Sequence, residues 1–95
     1  MDRNVAIQLL ESQHSFPSDH RFHIIIRSDP LHIEHITVSL AEFCALPHLE
    51  GRLLQIPSRN GTYLSLRVDL PCPSAAMVLD IYAHLSTLPY VIKYL

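Results

Sequence analysis

Hydrophobic and polar residues alternate along two segments of the chain, which is the pattern of a β-strand. The first segment, residues 20–27, places Phe22, Ile24 and Ile26 on one face. Ile25 makes the opposite face partly apolar as well, which predicts a central position in a sheet. The second segment, residues 62–70, has an apolar residue at every second position: Leu64, Leu66, Val68 and Leu70. We therefore expect two strands that share one buried face.

Apolar residues at steps of three and four predict two helices between the strands. Asp29 and Pro30 are typical of a helix start, because Asp caps free amide groups and Pro fits the first turn. This helix ends before Pro47, and its predicted apolar stripe is Ile33, Ile36, Leu40 and Phe43. The run Pro71-Cys72-Pro73-Ser74 ends the preceding strand and begins a second helix, which Pro89 closes. The predicted stripe of that helix is Ala75, Val78 or Leu79, Tyr82, and Leu85 or Ser86.

Two further strands complete the pattern. Residues 52–58 lead into Asn60-Gly61, a strong hairpin signal, and residues 90–95 form the last strand. The order strand, helix, strand, strand, helix, strand, with right-handed crossovers, predicts an α+β ferredoxin-like βαββαβ sandwich. In it, two helices cover one face of a four-stranded antiparallel sheet of order 4-1-3-2. Residues 16–95 form this single domain. Residues 1–15 are an N-terminal extension, in which Val5, Leu9 and Leu10 predict a short helix.

Composition narrows the class of protein. Ninety-five residues allow one domain, and 48% hydrophobic residues exclude a disordered chain. A net charge of −2 lacks the basic footprint of a nucleic-acid-binding domain, so nucleic acid is not the expected partner. No stretch reaches the roughly 20 apolar residues that cross a bilayer. Without a secretory profile at the amino terminus, we expect a cytoplasmic protein that does not engage membranes.

The residues that could carry chemistry favour a protein that is not an enzyme. Among seven histidines, His32 and His35 are the candidate metal pair, since residues three apart are neighbours on a helix. We favour surface imidazoles over a metal site, and expect no cofactor. Cys72 precedes the second helix without a base placed beside it, which favours a structural cysteine over a nucleophile. No serine–histidine–aspartate pattern or carboxylate pair is present, so we predict no catalytic residues.

The sheet face opposite the helices is the candidate binding surface. The two central strands should display there His23, Ile25, Tyr63, Ser65 and Arg67. Ile25 and Tyr63 favour an interface over a solvated face. A homodimer could form through this face or through the apolar terminal strand, residues 91–95, since unprotected edges pair with other chains. One aromatic residue on the central strands is few for RNA recognition, which remains an alternative together with metal binding.

Two segments resemble a known family. The hairpin Pro57-Ser58-Arg59-Asn60-Gly61-Thr62-Tyr63-Leu64-Ser65-Leu66-Arg67-Val68 and the ending Ile81 to Leu95 are similar to those of the YbeD-like family of small bacterial proteins. Phe16-Pro17 also stands where that family has a Phe-Pro element, so the resemblance covers residue 14 to the end. It implies a fold similar to the ACT regulatory domains, which sense small molecules, and brings no catalytic residues.

The resemblance to ACT domains also indicates a candidate effector site. Those domains have an Asp-x-Pro-Gly-like turn between the first strand and the first helix, and Asp29-Pro30-Leu31 occupies that turn here without the glycine. Arg27, Ser28 and Asp29 are therefore the candidate effector-binding residues. We expect a non-enzymatic regulatory module that binds a protein partner or a small effector, as a homodimer.

Overall fold

The predicted order of strands and helices is present, preceded by the short helix predicted at the amino terminus. A computed structural model describes residues 2–95. Its elements are α1 (Arg3–Gln13), β1 (Ser18–Arg27), α2 (Pro30–Phe43), β2 (Leu53–Pro57), β3 (Tyr63–Cys72), α3 (Ala75–Ser86) and β4 (Val91–Tyr94). None of the helices within this part of the chain has the length and apolar character needed to cross a membrane.

The four strands form one antiparallel sheet of order β2-β3-β1-β4. The central pair, β1 and β3, is in register over ten residues, from Ser18 opposite Cys72 to Arg27 opposite Tyr63. β2 pairs with the outer side of β3, and β4 pairs with the outer side of β1 through a β-bulge beside Ile26. Read from the opposite edge of the sheet, this order is 4-1-3-2, so the predicted strand order is confirmed.

Both α2 and α3 cover the same face of the sheet. Every second residue of the two central strands is buried, and these residues share one core with both helices. The strands contribute Phe22, Ile24, Ile26, Leu64, Leu66, Val68 and Leu70, and the helices Ile36, Leu40, Ala41, Val78, Ile81 and Leu85. The architecture is the α+β sandwich predicted from the sequence, and it leaves the other face of the sheet without helices.

The buried stripes differ from prediction in both helices, and Ala41 of α2 is buried although the predicted stripe left it out. Ile81 is fully buried although the predicted stripe of α3 passed over it, because Val78, Ile81 and Leu85 follow one another at steps of three and four. Phe43 was predicted to be buried but is 38% exposed. It lies in the last turn of α2, where its ring stacks on His84 of α3 at a centroid distance of 4.7 Å.

β3 continues through Pro71 to Cys72, two residues beyond the predicted end of the strand. The backbone N–H of Asp69 donates to the carbonyl of Arg52, so alternate N–H groups of β3 point toward β2. The nitrogen of Pro71 points the same way, but β2 begins at Leu53, opposite Val68. Its missing N–H therefore removes no ladder hydrogen bond, and the proline is tolerated.

The hairpin between β2 and β3 contains the predicted Asn60-Gly61 turn. The N–H of Gly61 donates to the carbonyl of Ser58 at 3.0 Å, and the Asn60 side chain accepts from the N–H of Thr62 at 3.2 Å. Gly61 has φ +76°, a conformation that costs side-chain-bearing residues energy. The hairpin prediction is confirmed.

The predicted N-terminal helix is present as α1. The Asp2 carboxylate caps it by accepting from the N–H of Asn4 at 3.1 Å. Leu10 is partly buried against the core, and Arg3 forms an ion pair with Asp80 of α3 at 2.9 Å. Val5 and Leu9 are each 45% exposed, so α1 lies on the domain surface with few core contacts.

The open sheet face as the candidate functional site

The face of the sheet opposite α2 and α3, called the open face below, displays alternate residues of all four strands. The two central strands place on it Asp19, Arg21, His23, Ile25 and Arg27 of β1 and Tyr63, Ser65, Arg67 and Asp69 of β3. The two edge strands add Leu54 and Ile56 of β2 and Lys93 of β4, together with Arg52, which precedes β2, and Leu95, which follows β4. The five residues predicted for this face, His23, Ile25, Tyr63, Ser65 and Arg67, all lie there.

Two neighbouring rows of side chains cross the centre of the open face. In one row, Arg67 lies opposite His23, whose backbone exchanges hydrogen bonds of 3.0 and 2.8 Å with Leu95. In the next row, Ile25 lies between Ser65 on one side and Lys93 on the other. Side chains directly opposite on adjacent strands have Cβ atoms about 5 Å apart, so each row is continuous.

A shallow pocket lies between these rows. Its volume is about 210 Å³, and side chains from all four strands contribute to it: His23, Ile25, Ile56, Ser65, Arg67, Lys93 and Leu95. Around it the open face is unusually apolar for a surface without covering helices. Leu54 is 54% exposed, Tyr63 42% and Leu95 64%. The pocket therefore combines an apolar lining with three nitrogen-bearing side chains.

Basic residues are concentrated on the open face. Five of the seven lysines and arginines of the chain lie there, with two of the nine carboxylates. The side-chain charge of the face is thus +3, whereas the other two cations and seven carboxylates give the rest of the molecule −5. A basic cluster was not predicted from the sequence, because the net charge of −2 for the whole chain hides this separation.

Both carboxylates of the open face already have cationic partners. Arg21 donates from Nε and Nη2 to the two oxygens of Asp69 at 2.8 and 3.0 Å. These hydrogen bonds hold the pKa of Asp69 below its ordinary value. Arg52 contacts Asp19 at 3.4 Å. Arg27, Arg67 and Lys93 form no ion pair with any residue of the segment 2–95.

The candidate effector residues lie together at the β1–α2 turn, away from the pocket. The N–H of Ser28 donates to the carbonyl of Thr62 at 3.0 Å, and the Asp29 carboxylate accepts from the N–H of Leu31 at 2.9 Å. Asp29 is therefore the N-cap of α2, as predicted from the sequence. Within residues 2–95, the Arg27 side chain forms no ion pair and the Ser28 hydroxyl forms no hydrogen bond.

The histidine pair of α2 packs against one tyrosine. His32 stacks on Tyr90 at a centroid distance of 4.7 Å, and Nδ1 of His35 is hydrogen-bonded to the Tyr90 hydroxyl. The two imidazoles therefore attach α2 to the segment before β4. Among residues 2–95, no three histidine, cysteine or acidic side chains are grouped to hold a metal ion.

Cys72 lacks the properties of a nucleophile. It is buried at the end of β3, and burial, with smaller contributions from Cys44 and Asp19, raises its pKa to about 11. A reactive cysteine requires the opposite, a pKa lowered by nearby positive charge or by a helix N-terminus. Burial also raises the pKa of Cys44.

The fold and its open face define a small α+β domain with a basic, partly apolar sheet surface. A comparison with protein-family models matches residues 11–95 to the family described as a protein of unknown function, DUF493. The chain belongs to this family, which is the YbeD-like family that its hairpin and tail resemble. Comparisons with curated proteins and with solved structures found no similar protein.

Proposed function

We propose that this protein is a non-enzymatic binding module that holds a protein partner or a small effector on its open face. The supporting observation is that exposed apolar side chains and five of the seven basic residues share the one sheet surface without helices. Arginine and apolar side chains together are the composition of interface centres, whereas lysine and acidic residues are depleted there. On a sheet face that contacts only solvent, the outward-pointing residues are mostly polar, so Leu54 and Ile56 would not be expected there.

A regulatory role is supported by the likeness to ACT domains. The chain has the βαββαβ order of that fold, and the β1–α2 turn carries Arg27, Ser28 and Asp29 in the position where ACT domains meet effectors. Because Asp29 caps α2, an effector at this turn would contact Arg27 and Ser28.

We propose the β4 edge as the site of homodimerisation. Ile92 is 50% exposed and Tyr94 36%, and no strand within residues 2–95 pairs with the outer side of β4. Pairing two open faces instead would oppose two surfaces that each carry a side-chain charge of +3. We expect light scattering to give a dimer for the natural chain and a monomer for Ile92→Lys. A strict monomer of the natural chain at high concentration would contradict the proposal.

The open face is tested by capturing partners with immobilised protein and identifying them by mass spectrometry. Leu54→Glu and Arg67→Glu alter the open face, and Val38→Glu, at a 51% exposed position of α2, is the matched control. We expect proteins retained by the natural chain to be lost with the two open-face variants and kept with the control. If all four proteins retain the same set, the open face is not the binding surface.

RNA binding is the second candidate, because the open face carries five cations and Tyr63, which lies on a central strand opposite Arg27. RNA-recognition sheets stack bases on two or three aromatic residues, and this face offers one. A gel-shift assay with mixed single-stranded RNA at low salt separates the two functions. A shift that is lost in Arg67→Glu and weakens steeply with salt would favour RNA. The other alternative, a metal site at His32 and His35, is tested by titrating the protein with zinc.

A further inference from the structure

We propose that the pocket at the centre of the open face binds a small molecule with an anionic head, a carboxylate or a phosphate, on a compact apolar body. This inference rests on the proposed function, since it names the chemistry of one ligand of the open face. It concerns the pocket that all four strands line and not the β1–α2 turn.

Two cations beside the pocket lack a counterion. Arg67 reaches it from β3 and Lys93 from β4, and neither forms an ion pair within the described chain. The carboxylates of the same face are held by Arg21 and Arg52, so they do not neutralise this pair. An anion between Arg67 and Lys93 would relieve their mutual repulsion and gain charge-assisted hydrogen bonds.

The donor geometry favours carboxylate or phosphate oxygens. A guanidinium presents parallel N–H groups that match two oxygens of either anion, and an ammonium adds a third donor from another direction. His23, directly opposite Arg67, supplies an imidazole nitrogen at the same end of the pocket. The Ser65 hydroxyl also lines the pocket.

The remaining lining is apolar and limits the size of the ligand. Ile25, Ile56 and Leu95 line the pocket, so the part of the ligand that lies beyond its charged head is expected to be hydrophobic. The pocket volume of about 210 Å³ lies below the roughly 300–1,000 Å³ of pockets that hold drug-sized ligands, so the ligand is expected to be small. A compact aromatic or branched aliphatic body suits a pocket of this size.

The test is a ¹H–¹⁵N NMR titration of the full chain with three probes: benzoate, its uncharged analogue benzamide, and inorganic phosphate. We expect saturable shifts with benzoate at amides around His23, Ile25 and Arg67, and binding of benzamide weaker by about 10-fold or more, because hydrogen bonds to charged groups contribute that much. The phosphate titration tests whether an anionic head alone is enough for binding. We expect saturable shifts at the same amides, with a weaker affinity than that of benzoate.

Arg67→Gln and Lys93→Gln should each weaken benzoate binding by about 10-fold. Arg59→Gln is the matched control, because Arg59 is an exposed arginine of the hairpin loop outside the pocket, and it should bind benzoate as the natural chain does. The amide spectrum of each variant verifies its fold before titration.

Three results would overturn the inference: no saturable shift with benzoate or phosphate, equal affinity for benzoate and benzamide, or equal losses in Arg67→Gln and Arg59→Gln. Its failure is distinguishable from failure of the proposed function. If the anions do not bind while Leu54→Glu still abolishes partner capture, the ligand chemistry is wrong and the open face remains the binding surface.

Discussion

Arg67 and Arg21 occupy the same face of the sheet, yet removing their charges should have different effects on stability. Arg21 makes two hydrogen bonds to Asp69, whereas Arg67 makes no ion pair within residues 2–95 and lies near Lys93 and His23. We compare Arg21→Gln with Arg67→Gln, since glutamine keeps a polar side chain of similar form without the charge. If Arg67 serves a ligand and not the fold, its substitution should be nearly neutral.

The magnitudes follow from exposure and distance. The Arg21–Asp69 side chains are 61% and 34% exposed, so water screens the pair and its contribution to stability is small, although its two parallel hydrogen bonds make it a favourable case among exposed pairs. Arg67 and Lys93 lie two strands apart, roughly 10–12 Å, where repulsion in water amounts to about 0.4 kcal/mol before screening by salt. Arg21→Gln should therefore lower the free energy of unfolding slightly. Arg67→Gln should leave it unchanged or raise it by a few tenths of a kcal/mol.

Urea unfolding of the two variants and the natural chain gives these differences from the transition midpoints. The midpoints of the variants should converge at about 1 M salt, where the Debye length is about 3 Å. A loss of about 1 kcal/mol or more in Arg67→Gln would mean that Arg67 stabilises the fold itself. The argument for an unneutralised cation pair at the pocket would then be refuted.

Four further predictions test the fold and its titratable groups. Partial burial and the nearby His14 lower the pKa of His20 below 6.5, so the folded chain binds this proton less readily than the unfolded chain. Above pH 6.5 His20 therefore does not reduce the free energy of unfolding, and below pH 6.5 the free energy falls because the unfolded chain takes up the proton more readily. His20→Gln should make the urea midpoint fall less steeply with decreasing pH, and an unchanged slope would exclude this role. Cys72, with a pKa of about 11, should resist alkylation at pH 8 until urea unfolds the chain. Rapid labelling of Cys72 itself in the native protein would contradict its burial. Gly61→Ala should cost about 1–2 kcal/mol through the +76° φ alone, since no atom lies within 4 Å of the added Cβ, and a neutral substitution would contradict the left-handed turn. Ile81→Ala should lower the free energy of unfolding by about 2–5 kcal/mol, and Leu79→Ala should lower it clearly less. A larger loss in Leu79→Ala would mean that Leu79 and not Ile81 belongs to the buried stripe.

The sheet was predictable because strand periodicity assigns faces without knowledge of the partners. Once Phe22, Ile24 and Ile26 are placed on the core side, His23 and Ile25 must face the other way. The strand order then followed from connection rules that hold for nearly all such chains.

The helix faces were less predictable, because α3 is apolar on most of its surface. With Leu79, Ile81 and Tyr82 within four residues of one another, spacing alone cannot decide which one faces the sheet. In the structure Ile81 is fully buried, while Tyr82 lies at the flank with its ring 5.2 Å from Phe22. Phe43 was misplaced for a different reason, since a partner outside its own helix, His84, holds its ring at the surface.

The charge of the open face was out of reach of composition, because it depends on which strands become neighbours. Arg52 and Lys93 come from the two edge strands and their approaches, 41 residues apart in sequence, and only the sheet order brings them to the surface that carries Arg67. A usable signal did exist in β1, where Arg21, His23 and Arg27 occupy alternate positions. Adding up the charges of the residues on each face of each strand would have revealed the basic face.

Charge separation links the ligand of the open face to the way two copies could associate. A face with a side-chain charge of +3 on a molecule that is otherwise −5 attracts anions selectively and repels its own copy face to face. A dimer paired through β4 would instead set two open faces side by side on one continuous sheet, and would leave both pockets free. An anionic ligand should then bind without altering the dimer, whereas in a face-to-face dimer the ligand and the second copy would compete for Arg67 and Lys93. Measuring the dimer dissociation constant with and without benzoate therefore decides between the two arrangements: no change supports pairing through β4, and weaker dimerisation contradicts it.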